Sequence, residues 1–234
     1  VQPNAVQDIA TPDVFTLSNI RNITYRGEEF ANYTTEWLQQ KYDIRDLQKV
    51  WFIENNYASL QSHIMLTFEF SGSRFLSVSV EVRKENAQDF EVWHVLYKNF
   101  YVFYILATEY DIVYLRTNIR KSPTYRYELN LTPDQQKALF KSICSSMQAT
   151  YDNNLLYKVF RSDCVTTLLK NFLAAGIPVK KHFWDWSPTR VLYRSGLIKG
   201  EWKSLDEVYE RTLINEKVAS SKQNNEYSLS ASTS

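Results

Sequence analysis

Two runs of alternating apolar and polar residues meet at a short turn between residues 61 and 83, and no other stretch constrains the fold as tightly. Ile64, Leu66, Phe68 and Phe70 fall on one side of the first run, and Leu76, Val78, Val80 and Val82 on one side of the second. Period-2 alternation marks a strand with one buried face, and Ser71-Gly72-Ser73 supplies turn residues between the runs, so the segment is predicted as a β-hairpin. Residues directly opposite each other in an antiparallel pair point to the same face. With the even positions apolar on both strands, paired positions must sum to an even number. A three-residue loop at 71–73 pairs Phe70 with Arg74 and hence His63 with Glu81, whereas a five-residue loop pairs His63 with Arg83. In both registers His63, Met65, Thr67 and Glu69 share the second face with Ser77, Ser79, Glu81 and Arg83.

Around this hairpin the signals are weaker. Residues 1–20 read as extended or irregular, 34–41 as a short helix and 49–53 as a strand. Strand-like runs at 100–107, 110–117 and 124–130 extend the hairpin into an antiparallel meander of about five or six strands. The period then changes. Thr132-Pro133-Asp134-Gln135 has the form of a capping box with proline at the first helical position, and Phe140, Ile143, Cys144 and Met147 recur at helical spacing, which predicts a helix over 133–149. A second helix is predicted from Ser162 or Asp163, with Val165, Leu168, Leu169, Phe172 and Leu173 as its stripe and a stop at Gly176. Residues 182–188 read as an aromatic loop and 205–213 as a last short helix. The stretch 218–234 is rich in Ser, Asn and Gln and is predicted to be a disordered tail. The expectation is one α+β domain over residues 1–217, its sheet packed against helices.

Composition excludes several functional classes. With 27 basic and 26 acidic residues among 234, the chain has no broad basic field, so nucleic acid is not an expected partner. No apolar run approaches the ~18 residues that span a bilayer as a helix. The chain begins Val-Gln-Pro rather than Met, and the expectation is an exported product whose signal peptide has been removed. Five glycines form no phosphate-cradling loop, and three histidines (His63, His94, His182) stand at no zinc-ligand spacing from Cys144 or Cys164, so neither cofactor nor metal is expected.

What remains is a set of three residues. Cys164 stands in the first turn of a predicted helix, where unsatisfied N–H groups and the macrodipole favour thiolate. Cys144, on the apolar face of the preceding helix, is expected to be buried and inert, although a Cys144–Cys164 disulfide is open to a chain in an oxidising compartment. His63 has the residue type of a general base, and Glu81 on the same face can orient its ring, the arrangement of a nucleophile triad. The plain alternatives are a cross-strand His–Glu pair worth under ~1 kcal/mol and a small buried cysteine. Arg83 and Arg116 are candidate partners for carboxylates such as Glu81, while Arg83, Trp184 and Trp186 are the candidate substrate-binding residues. Segments 84–99 and 180–190 are candidate lids.

The segments 42–47, Ser62 to Phe70, Leu76 to Glu85, Leu115-Arg116-Thr117-Asn118 and Asp163-Cys164-Val165-Thr166-Thr167, in this order, resemble the bacterial Lnb N-terminal periplasmic domain family over about residues 18–200. That family in turn resembles a circularly permuted form of the NlpC-type papain-like cysteine peptidases. The resemblance implies a permuted papain-like fold, an envelope location, and Cys164, His63 and Glu81 as nucleophile, base and orienting residue. This chain departs from the expected pattern at Asp163, where the family carries Asn before the cysteine. Two functions are expected from these readings. One is a cell-envelope cysteine hydrolase or acyltransferase acting on an amide, ester or thioester of a peptidoglycan peptide, another peptide or a lipid acyl group. The other is a non-catalytic periplasmic binding or scaffold domain with a papain-like shell and an aromatic groove.

Overall fold

The structure is a computed structural model that describes residues 3–26, 33–58, 61–83, 100–153, 156–157, 164–180 and 187–219. Among these, nine strands form one sheet: β1 (Asn4–Gln7), β2 (Val14–Tyr25), β3 (Tyr33–Asp43), β4 (Leu47–Ala58), β5 (Gln61–Phe70), β6 (Arg74–Arg83), β7 (Phe100–Ala107), β8 (Thr124–Glu128) and β9 (Leu156–Tyr157). Their order is β1-β2-β7-β6-β5-β4-β8, with β3 added to β2 and β9 to β7. All pairings are antiparallel except a parallel contact of β2 with β7 at Arg21 and Ala107. The β5–β6 turn takes the three-residue form: Phe70 pairs with Arg74, and the ladder runs on to Met65 and Ser79. Gly72 and Ser73 both adopt positive φ there, a conformation that glycine reaches without a steric penalty.

Parity divides the sheet into two faces. The even-numbered side chains Ile64, Leu66, Phe68, Phe70, Leu76, Val78 and Val80 lie in the main core. Among the described residues, two helices supply much of the cover on this face. Helix α2 (Pro133–Asn153) contributes Leu139, Phe140, Ile143 and Met147, and α3 (Cys164–Ala174) contributes Leu168, Leu169 and Phe172. Phe140 is the hub, with its ring edge-on to Phe15, Phe68 and Phe70 at centroid distances of 5.4, 5.1 and 5.7 Å. The predicted capping box at the start of α2 is formed: Thr132 N–H donates to Gln135 Oε1, and Gln135 N–H donates to Thr132 Oγ1. On the odd-numbered face, Met65 and Ile53 pack in a second cluster with Ile112, Val113, Tyr114 and Leu115 of α1 (Glu109–Tyr114) and the π-helical turn Leu115–Ile119 that continues it. The remaining helices are α4 (Pro188–Arg194), α5 (Leu205–Thr212) and α6 (Asn215–Ala219).

The α+β class is as expected, but four local readings change. Residues 34–41 are part of β3 rather than a helix, because a ladder to β2 from Val14–Asp43 to Tyr25–Tyr33 outweighs a weak local helical signal. Residues 110–117 form α1 and its π turn rather than a strand. Thr108 caps this helix by accepting from Asp111 N–H, and the run is buried on all sides, which erases any periodicity that could separate strand from helix. Residue 188 begins α4 instead of ending a loop, with Ser187 Oγ accepting from Arg190 N–H. Finally, α6 keeps the chain packed through Val218, which is fully buried, just past the predicted boundary at 217. The sheet also gains strands over the expected five or six, since β1, β2 and β3 extend it at one end.

Phe140→Ala should destabilise the protein by ~3–5 kcal/mol, since it removes a buried ring that meets three others. The midpoint of urea denaturation checks this, and a loss below ~1 kcal/mol would show that the ring cluster is not the hub of the core.

Candidate functional site

His63 and Glu81 meet on the odd-numbered face, as parity predicts. His63 Nε2 lies 2.7 Å from Ser79 Oγ and 3.0 Å from Glu81 Oε1. Ser79 Oγ donates to Glu81 Oε1 at 2.8 Å, so its oxygen is left to accept from His63. The network therefore assigns the ring proton to Nε2 and leaves Nδ1 as the lone-pair nitrogen. Two residues beyond the Met65–Ser79 pair, on the same face, the Thr67 and Ser77 hydroxyls pair at 2.6 Å, extending a polar seam across β5 and β6.

Glu81 also serves Arg116. Arg116 NH2 lies 3.6 Å from Glu81 Oε1, and NH1 donates to the Ile112 carbonyl at 2.9 Å. Partial burial pushes the Glu81 carboxyl up, but the His63 hydrogen bond and charge, the Arg116 charge and the Ser79 hydroxyl outweigh it and hold the group at about 2. Arg116 is buried, which pulls it down to about 10; Glu81 opposes that shift while Arg120 and Arg21 add to it. Arg116 is thus charged at neutral pH, and Glu81 is an anion shared by two neighbours. A second buried pair stands beside it, with Arg21 forking onto Asp111 through Nε at 2.7 Å and NH2 at 3.1 Å. Together Arg21, His63, Glu81, Arg116 and Arg120 border an open cavity of about 270 Å³ whose other walls include Phe103 and Ile105.

Cys164 is the first residue of α3, so its backbone N–H belongs to the unpaired donors of a helix start. Its thiol lies outside the described side chains. The backbone still fixes where α3 begins. The chain after α3 returns to the start of α2, through Lys180 N–H to Ser195 Oγ and Asn130 N–H to the Leu197 carbonyl. The far end of α2 feeds β9, which pairs with Phe100 and Tyr101 beside the end of β6 at Arg83. Helix α3 therefore runs antiparallel to α2, and Cys164 stands at the open end of the hairpin, the end that carries His63 and Glu81. The helix body, however, packs on the even-numbered face through Leu168 and Phe172, opposite to the face from which His63 projects. Cys144 is a free, buried thiol pushed up to about 12 by burial.

Of the other predicted residues, Arg83 ends β6 with a side chain outside the described set, and Trp184, Trp186, His94, His182, Asp163 and the 84–99 segment lie outside the described residues. Among the described residues no group of His, Cys, Asp and Glu side chains is placed to hold a metal ion, and no helix is long and apolar enough to cross a membrane. The site contains four residues that sequence reasoning did not assign to it: Ser79, Arg21, Arg120 and Asp111. Ser79 was legible, since it shares the odd face between Ser77 and Glu81. The others come from β2 and the α1 segment, which no local pattern links to the hairpin.

A family model described as the Lnb N-terminal periplasmic domain matches residues 33–194, a span that holds His63, Glu81, Arg116, Arg120 and Cys164. No curated protein and no solved structure matches the chain.

Glu81 is held below its ordinary value of 4.5, so its contribution to stability is complete above pH 4.5 and is lost as pH falls toward about 2. The stability difference between the unmodified protein and Glu81→Gln should therefore narrow steadily as urea denaturation is repeated from about pH 6 to about pH 3. A difference that stays constant over that range would contradict an ionised, doubly partnered carboxylate.

Proposed function

The chain belongs to the Lnb N-terminal periplasmic domain family and so to the periplasm, and from that premise we propose that it is a cell-envelope thiol hydrolase or acyltransferase with a permuted papain-like shell. The observation that carries the reading is the orientation of His63. Its Nε2 is held by Ser79 and Glu81, which leaves Nδ1 as the base. The substrate is a peptidoglycan peptide, another peptide or a lipid acyl group.

In this mechanism the Cys164 sulfur attacks the carbonyl carbon of an amide, ester or thioester, and the thiol proton passes to His63 Nδ1. The backbone N–H of Cys164, at the start of α3, supports the oxyanion that forms. Collapse of the tetrahedral intermediate breaks the bond to the leaving group, which takes the proton from Nδ1, and an acyl thioester remains on Cys164. Water, or an acceptor amine or hydroxyl, then adds to the thioester while His63 takes its proton. Expulsion of the Cys164 sulfur, which recovers that proton, releases the product. Glu81 stays ionised throughout and stabilises the imidazolium that forms at each step.

The packing of α3 on the opposite face favours a second reading, a non-catalytic periplasmic binding or scaffold domain. For the catalytic reading, the Cys164 thiol must meet His63 Nδ1 around the open end of the hairpin. For the binding reading, the polar seam serves stability, and ligand recognition falls to aromatic residues such as Trp184 and Trp186.

Iodoacetamide labelling of each cysteine across about pH 5 to 9 separates the two. The catalytic reading expects Cys164 to label rapidly at acidic pH, His63→Ala to slow it there, and Cys144 to stay slow throughout. If Cys164 titrates as an ordinary thiol whether or not His63 is present, the catalytic reading is lost and the binding reading stands.

A further inference from the structure

The cavity beside His63 carries more positive charge than the orientation of one imidazole requires. Arg116 is 4% exposed, and its Nε meets no hydrogen-bond partner among the described residues. A buried, unmet guanidinium N–H is uncommon, because its desolvation is not offset by a partner. Among the described residues Glu81 is the one carboxylate that lines the cavity, and Arg116 shares it with His63. Arg21 has its own counter-ion in Asp111 behind the wall. Arg120 stands exposed at the rim, and among the described residues no carboxylate lies within ion-pair distance of it. Among the described residues three arginines thus stand against two carboxylates, one of which, Asp111, lies outside the lining, and a proton on His63 adds to the excess.

Arg116 and Arg120 stand four residues apart on the helical segment that continues α1, a spacing that places both on one face, and both line the cavity. The Arg120 N–H donates to the Leu115 carbonyl five residues back, at 2.9 Å, the hydrogen bond of a π-helical turn. Such turns recur at functional sites.

We propose that this cavity is an anion-binding subsite, in which Arg120 and Arg21 grip a phosphate or carboxylate group of the ligand over the charge of Arg116. Planar guanidinium groups suit the paired oxygens of either anion. The volume of about 270 Å³ admits such a head group with room for adjoining atoms of the ligand beside Phe103 and Ile105. The position beside His63 places an acidic group of the ligand next to the base of the proposed reaction. The subsite itself does not depend on Cys164 being a nucleophile.

With only three histidines in the chain, the His63 ring signal can be followed by NMR in the intact 234-residue chain. Inorganic phosphate and N-acetylglycine are titrated separately at constant ionic strength and neutral pH. At least one of them should shift the His63 signal saturably, and Arg120→Ala should weaken that binding about tenfold. Tighter binding of phosphate identifies a phosphoryl-bearing ligand, and tighter binding of N-acetylglycine a peptide carboxylate. Arg116→Lys, which retains the charge beneath the cavity, should bind more tightly than Arg116→Gln. The proposal is overturned if neither anion saturates the signal, or if Arg120→Ala binds as the unmodified protein does. Neither outcome involves Cys164, so the result stands apart from the labelling experiment.

Discussion

The pairing of Phe70 with Arg74 across the β5–β6 turn sets the register on which core and site both depend. Side chains alternate between the faces of a strand, so one register sends Ile64, Leu66, Phe68, Val78 and Val80 beneath α2 and α3 and sends His63, Ser79 and Glu81 to the other face. A slip of a single residue would exchange the two sets. It would place ionisable groups among phenylalanines and expose the largest apolar side chains to water. Burial of the even face therefore acts at a distance on the polar seam, by forbidding every register in which His63 and Glu81 are not on a common face.

Within that seam, Glu81 is the common element. A carboxylate that accepts from Ser79 and faces both His63 and Arg116 is stabilised as an anion by each of them. The sharing has two consequences. It orients the imidazole through Nε2, and it leaves Arg116 incompletely neutralised beneath an open cavity. A proton acceptor and an electropositive recess thus stand side by side because one carboxylate is shared by an imidazole and a guanidinium. The comparable Arg21–Asp111 pair is more complete, with two hydrogen bonds between its members, and acts mainly to fix β2 against α1.

Legibility in the sequence followed the strength of local pattern. The hairpin, the α2 capping box and the stop of α3 near Gly176 are visible because alternation, an end-cap pair and a left-handed glycine are each local requirements. The α1 segment was misread because Ile112, Val113, Tyr114 and Leu115 are all buried, and a run buried on every side has no period. The β3 strand was misread for a different reason: its conformation is set by a long ladder to β2 rather than by its own residues. Arg21 and Asp111, ninety residues apart, have no local signal that could have joined them.

The amino-acid sequence by itself determined which residues of the hairpin share a face, since parity follows from the apolar pattern alone, and it located the helix start that bears Cys164. It also assigned Cys144 to an apolar helical face, where burial keeps the thiol protonated. Only the tertiary structure decided that α3 covers the face opposite His63, that Arg116 and Arg120 reach the cavity beside His63, and that Glu81 is shared between His63 and Arg116. These are matters of which elements pack on which face. Hydrophobic burial is non-directional, so it specifies that a face must be covered without specifying what covers it.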